Sequence, residues 1–201
     1  MILPNQLTVL RIILTPIFVW LFLSDSVLLN QISFFVYVVA AITDWYDGWL
    51  ARKFNYITKW GEFLDPLADK ILTSSAFLVF AAIDVLELWM VIVIIVRDFL
   101  MTGLRLYADM KKKTFTTSSL AKWKTFIQMG FIYYLLGIFT LQTVNSLYYG
   151  NEKIFNTLTD STFIYFTMLV ITILTLFTGV SYLYKNRLLI KSIFSFETKS
   201  N

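Results

Sequence analysis

Asp44-Trp45-Tyr46-Asp47-Gly48-Trp49-Leu50-Ala51-Arg52, followed by Gly61-Glu62-Phe63-Leu64-Asp65-Pro66-Leu67-Ala68-Asp69, decides how this chain is read. Four aspartates fall here between two long apolar runs. Asp44 and Asp47 are three apart, Asp65 and Asp69 four apart, so each pair shares a helix face. Asp65-Pro66 reads as an N-cap followed by proline at the first helical position. That starts one helix at the level where the preceding one ends, and the two carboxylate pairs then face each other. Like charges do not gather uncompensated at a bilayer edge, and acids there signal function by default. A divalent cation resolves the repulsion. Oxygen-only ligands suit Mg²⁺ or Mn²⁺, and four carboxylates can hold two ions. Gly48 and Ala51 lie on the Asp44 face and let something bulky approach. A neighbouring helix is one occupant; a nucleotide or phosphate group beside a metal cluster is the sharper one. Arg52 and Thr58, just beyond, suit phosphate contact.

Outward from this stretch the chain is apolar. Long apolar runs cover about 6–23, 29–50, 66–83, 88–106, 126–144 and 163–184. Of 201 residues, 58% are apolar, enough for six spans of about 20 residues each. Charged residues make up 15% and mean hydropathy is +0.69. These values argue against a soluble globular domain and exclude a disordered chain. The expectation is an all-α integral membrane protein, a single membrane domain over 1–201 with six transmembrane helices. The start, Met1-Ile2-Leu3-Pro4-Asn5, lacks the basic region and small-residue cleavage site of a signal peptide, so it reads as a retained first helix.

Two absences narrow the chemistry. The chain has no cysteine and no histidine. Disulfides, thiolate nucleophiles, imidazole bases, phosphohistidine and His or Cys metal ligands are all excluded. Catalysis falls to carboxylates, Lys, Arg, hydroxyls or a bound metal.

Orientation follows from the basic residues. One side gathers Arg11, Arg52, Lys53, Lys59, Arg105, Lys111, Lys112, Lys113, Lys122, Lys124, Lys185, Arg187, Lys191 and Lys199. The other has Lys153 beside Asp25, Asp84, Glu87, Glu152 and Asp160. Both termini and the acidic stretch are expected on the cytoplasmic side of a multi-pass cell (inner) membrane. The net charge of +4 is then a topology and headgroup signal, and nucleic-acid binding is not needed to explain it.

The acidic stretch resembles the signature of the CDP-alcohol phosphatidyltransferase family, D-x2-D-G-x2-A-R-x8-G-x3-D-x3-D. Asp44, Asp47, Gly48, Ala51, Arg52, Gly61, Asp65 and Asp69 meet every fixed position, with eight residues between Arg52 and Gly61. Eight fixed residues at fixed separations are a specific match. Pro4-Asn5-Gln6-Leu7-Thr8 with Arg11, Phe63-Leu64-Asp65-Pro66-Leu67-Ala68-Asp69-Lys70, Arg97-Asp98 with Arg105, and Lys122-Trp123-Lys124-Thr125 with Gln128 resemble the family's bacterial phosphatidylglycerophosphate synthase branch. The resemblance covers roughly 2–130; the last third matches only in hydropathy.

The resemblance implies the six-helix fold of that family and transfer of a phosphatidyl group from CDP-diacylglycerol to sn-glycerol 3-phosphate, with CMP leaving. It assigns Asp44, Asp47, Asp65 and Asp69 to metal binding, with Asp69 also the base that deprotonates the acceptor. It sets Gly48, Arg52 and Thr58 against the nucleotide, with Asn5 and Thr8 helping, and it implies a homodimer. The acceptor is a dianion entering an acidic site, so basic groups must hold its phosphate. Arg97, Arg105, Lys122 and Lys124 are the candidates. The plainer reading pairs Arg97 with a buried acid such as Asp98 and lets the lysines snorkel to headgroups. Inositol phosphate, phosphatidylglycerol or serine as acceptor keeps the chemistry and changes the product. An acidic-relay ion transporter is the reading from another class; it calls for polar groups deep in several helices, whereas here they crowd one edge.

Overall fold

All six apolar runs become long helices, four close to where periodicity puts them and two, the third and the fifth, starting seven residues earlier than expected. The computed structural model describes residues 3–54, 59–111, 113, 115 and 119–194. Within the helices, the side chains of 3–6, 44, 45, 47–52, 54, 59, 60, 62, 145 and 192–194 lie outside that description. The long helices are α1 (Leu3–Phe22), α2 (Val27–Phe54), α3 (Lys59–Ala82), α4 (Leu88–Met110) and α5 (Ser119–Gln142). After short α6 (Asn145–Tyr148) and α7 (Glu152–Leu158) come long α8 (Ser161–Lys185) and short α9 (Arg187–Phe194). The described residues hold no strand.

The start of the third helix differs from the sequence expectation. Pro66 lies inside α3, not at its first position. The reason is visible at Asp65. A cap carboxylate accepts a backbone N–H of the first turn, but Asp65 accepts instead from the hydroxyl of Thr8 on α1. Proline withholds one N–H from the ladder and crowds the carbonyl four residues before it, yet the helix continues through it.

Tight connections are settled by local hydrogen bonds. Asn30 Nδ2 donates to the Phe22 carbonyl at 3.0 Å, satisfying the end of α1 from α2. Between α3 and α4, Asp84 adopts φ 58°, a left-handed conformation that short polar side chains tolerate. The N–H groups of Val85 and Leu86 return to the Phe80 carbonyl at 3.0 and 3.2 Å. Asp160 caps α8, accepting from the Phe163 N–H at 2.9 Å.

α1 packs on α2 and α3, α3 on α4, α4 on α8, and α5 on α8 and α2. The core holds Phe18 and Phe22 of α1, Tyr37 of α2, Phe77 and Phe80 of α3, Met90 and Ile94 of α4, Ile132 and Leu135 of α5, and Met168 and Ile171 of α8. Phe18 meets Tyr37 with centroids 5.1 Å apart, and Phe22 meets Phe80 edge-on at 5.3 Å.

The exterior is not that of a water-soluble protein. Large apolar side chains face outward on every long helix: Trp20, Phe35, Leu78, Leu100, Phe126 and Phe177 among them. Arg11, Asp98, Lys124 and Gln128 are buried. Buried threonines turn their hydroxyls back on their own helices, Thr15 to Arg11 and Thr172 to Met168, both at 2.8 Å. An exterior of this kind suits lipid. By length and hydropathy, Ser119–Gln142 and Glu152–Lys185 are long enough to cross a membrane, and Leu7–Phe22 and Val27–Thr43 are shorter apolar helices. In α4 the apolar run is interrupted by Arg97, Asp98 and Arg105.

Candidate active site

One wall of the site comes from α3. Asp65 and Asp69 stand one turn apart on it, both partly buried. Thr8, almost wholly buried, ties α1 to Asp65. Asp69 keeps 30% of its side chain exposed, and the Lys70 Nζ lies 3.8 Å from its carboxylate. α2 carries the backbone of Asp44, Asp47, Gly48 and Arg52 as helix. The side chains of Asn5, Asp44, Asp47 and Arg52, the surroundings of Gly48, and Thr58 altogether lie outside the described residues.

The facing wall is organised by one carboxylate. Asp98 of α4 is 4% exposed. Lys124 of α5 reaches its Oδ1 at 2.7 Å, and the neighbouring Arg97 reaches the same atom through Nη1 at 2.9 Å. Lys70 of α3 lies 3.5 Å from Oδ2. The Gln128 amide lies 3.5 Å from the same oxygen. Arg97 also donates through Nη2 to the Thr178 hydroxyl of α8 at 3.0 Å. Four helices are thus tied to a single acid. Taking a carboxylate out of water is costly unless cations and donors surround it. Arg97, Lys70 and Lys124 thus surround one carboxylate, with Lys70 shared between Asp98 and Asp69.

Between these walls is a cavity of about 600 Å³. Asp69, Lys70, Arg97, Arg105, Lys122 and Tyr182 are among its lining residues. It therefore brings together the expected base and three of the expected phosphate-holding cations. Lys124 is not in the lining; at 2% exposure it directs its ammonium to Asp98. Arg105 and Lys122 are exposed, and Arg105 lies against Tyr182.

Sequence reasoning passed over several participants. Lys70 stands in the sequence simply as the residue after Asp69, yet it spans both walls. Asp98 was read as one ion-pair partner and proves to be the shared node. Thr178 and Tyr182 come from the last third, where hydropathy alone was legible. For Asp98 a signal existed: a lone acid in the middle of an apolar run has to be paired. For Thr178 there was none, since threonines are scattered along α8.

A sequence model of the family described as CDP-alcohol phosphatidyltransferase matches residues 1–183. The chain is similar to the CDP-diacylglycerol–glycerol-3-phosphate 3-phosphatidyltransferase of Bacillus subtilis, 40% identical over 139 residues, covering 63% of this chain and 72% of the relative. The protein of that name from Rickettsia typhi is 38% identical over 127 residues, covering 63% and 71%. The one from Salmonella typhimurium is 36% identical over 139 residues, covering 66% and 75%.

Proposed function

This chain belongs to the CDP-alcohol phosphatidyltransferase family, and on that footing we propose that it transfers the phosphatidyl group of CDP-diacylglycerol to sn-glycerol 3-phosphate, giving phosphatidylglycerophosphate and CMP. The observation that carries the reading is the cavity lined by Asp69 together with Arg97, Arg105 and Lys122. A carboxylate base beside a cluster of cations is what an acceptor bearing both a hydroxyl and a dianionic phosphate requires. The named activity of the relatives points the same way.

In this mechanism Arg97, Arg105 and Lys122 hold the acceptor's phosphate and turn its hydroxyl toward Asp69. Asp69 takes the hydroxyl proton on a carboxylate oxygen. The acceptor oxygen attacks the lipid-side phosphorus, the bond from that phosphorus to the CMP oxygen breaks, and CMP departs. Lys124 works from behind by fixing Asp98. Gly48, Arg52 and Thr58 hold the nucleotide, with Asn5 and Thr8 helping from α1. Asp44, Asp47, Asp65 and Asp69 form an oxygen-only donor set, which fits Mg²⁺ or Mn²⁺, two ions in this reading. Asp65 and Asp69, one turn apart and partly exposed, are compatible with it. When bound, such ions neutralise the pyrophosphate and stabilise the leaving phosphate.

The reading includes six spans in the inner membrane, both termini and the site on the cytoplasmic side, and a homodimer. The outward apolar faces of all six long helices support the span count.

The test is CMP release from CDP-diacylglycerol by purified protein in detergent with Mg²⁺. Parallel reactions contain sn-glycerol 3-phosphate, inositol phosphate, phosphatidylglycerol or serine. Release is expected only with sn-glycerol 3-phosphate, and Asp69→Asn should lower it by at least about 100-fold. Release with a different acceptor would overturn the assignment of the cavity. Release undiminished by Asp69→Asn would overturn that of the base.

A further inference from the structure

Arg97 does not reach the cavity unaided. Its stem lies along α8 at Gly179. A Cβ built on Gly179 would stand 3.2 Å from Arg97 Cγ and 3.3 Å from its Nε. The crowded atoms belong to the middle of the side chain. The far end is held independently, by Asp98 at 2.9 Å and by the Thr178 hydroxyl at 3.0 Å. Arg97 Nε, on the side facing Gly179, is buried without a hydrogen-bond partner among the described residues. The stem is therefore placed by fit, and the head by two charge-assisted or polar bonds. Thr178 also anchors to its own helix, donating to the Leu174 carbonyl at 2.8 Å, which holds its oxygen in place as an acceptor for Arg97. One turn further on, Tyr182 lines the same cavity.

We propose that Thr178 and Gly179 of α8 are positioning residues for acceptor recognition: a side-chain-free notch and an adjacent hydroxyl that seat Arg97 so that its guanidinium faces the acceptor's phosphate. This deepens the proposed function and rests on it. Any side chain at 179 lifts the stem by a few tenths of an ångström, and the head cannot follow without leaving Asp98 or Thr178. Small misplacements of a binding group are amplified in the rate of a reaction that depends on alignment. The seat touches only the acceptor half of the site, so the effect is confined to that substrate.

The experiment measures KM for acceptor and for CDP-diacylglycerol, with kcat, in detergent. Gly179→Ala is expected to raise the acceptor KM about tenfold while the CDP-diacylglycerol KM moves less than about twofold. Thr178→Val should act in the same direction, and Thr178→Ser should restore most of what valine loses; this pair keeps the test alive if Gly179→Ala does not fold. A double-mutant cycle with Arg97→Lys supplies the readout a packing defect would not move. If Gly179 acts through Arg97, the two losses overlap and the double variant is little worse than Arg97→Lys alone. Strict additivity, an unchanged acceptor KM, or equal increases for both substrates would overturn the seat. The wild-type control separates the two readings. If release needs an acceptor other than sn-glycerol 3-phosphate, the proposed substrate falls and the seat is read with the acceptor that works. If no acceptor supports release, both fall.

Discussion

At Asp98, three cations converge on one oxygen pair, and the result of removing it depends on which partner can escape to water. Arg97 keeps Thr178 and Lys70 keeps its approach to Asp69. Lys124 has no such exit, for its side chain is 1% exposed. Asp98→Asn preserves shape and strips the charge, leaving a buried ammonium without its counterion. Breaking a buried pair from one side costs about 3–5 kcal/mol. Thermal unfolding in detergent should therefore show a much larger loss for Asp98→Asn than for Lys153→Gln, an exposed site where changes stay within about 0.5 kcal/mol. Restoring apolar balance with Asp98→Asn plus Lys124→Met should recover part of the loss. How much of this was legible varies by residue. Asp69, Arg97, Arg105 and Lys122 announce themselves as charges in or beside apolar runs, and they do meet in one cavity. The convergence on Asp98 joins residues 26 and 30 apart in sequence, and the Arg97–Thr178 bond joins residues 81 apart. No local pattern encodes such pairings; they arise where α3, α4 and α5 pack with α8.

Among the helices, periodicity served well where the signal was long. Each apolar run maps to a long helix, because some 20 consecutive apolar residues leave the backbone few other ways to satisfy its hydrogen bonds in lipid. The short α6, α7 and α9 were not legible, since a few residues of mixed polarity carry no period. Pro66 misled for a physical reason. Proline favours the first turn but is tolerated inside a helix whose neighbours supply contacts, as α1 does here through Thr8. The turn between α3 and α4 gives an element-level prediction. Asp84 has φ 58° and its side chain is exposed. Asp84→Gly should leave the melting temperature unchanged or slightly raised, because glycine meets no steric penalty there. Asp84→Val should cost about 1–2 kcal/mol, because a β-branched residue is poorly accommodated in the left-handed region. Equal melting temperatures for the two variants would mean that the turn relaxes away from this conformation.

For the molecule as a whole, the division of labour is between a polar cluster tied across four helices inside an apolar core and an exterior of Trp20, Phe35, Leu100, Phe126 and Phe177. Helices already surrounded by apolar solvent gain little from burying more apolar surface. Their association rests on close packing and on the interior ties, so the ion pairs at Asp98 also hold the bundle together. The same exterior decides how the substrate arrives. CDP-diacylglycerol, with two acyl chains, never leaves the layer in which this protein sits, and so it approaches sideways by lateral diffusion in two dimensions. The concentration that governs turnover is then its mole fraction in that layer, not its amount per volume of water. Diluting the micelles with inert detergent at constant bulk CDP-diacylglycerol should slow CMP release, whereas the water-borne acceptor should keep obeying its bulk concentration. The two substrates of one reaction would thus be counted in different dimensions.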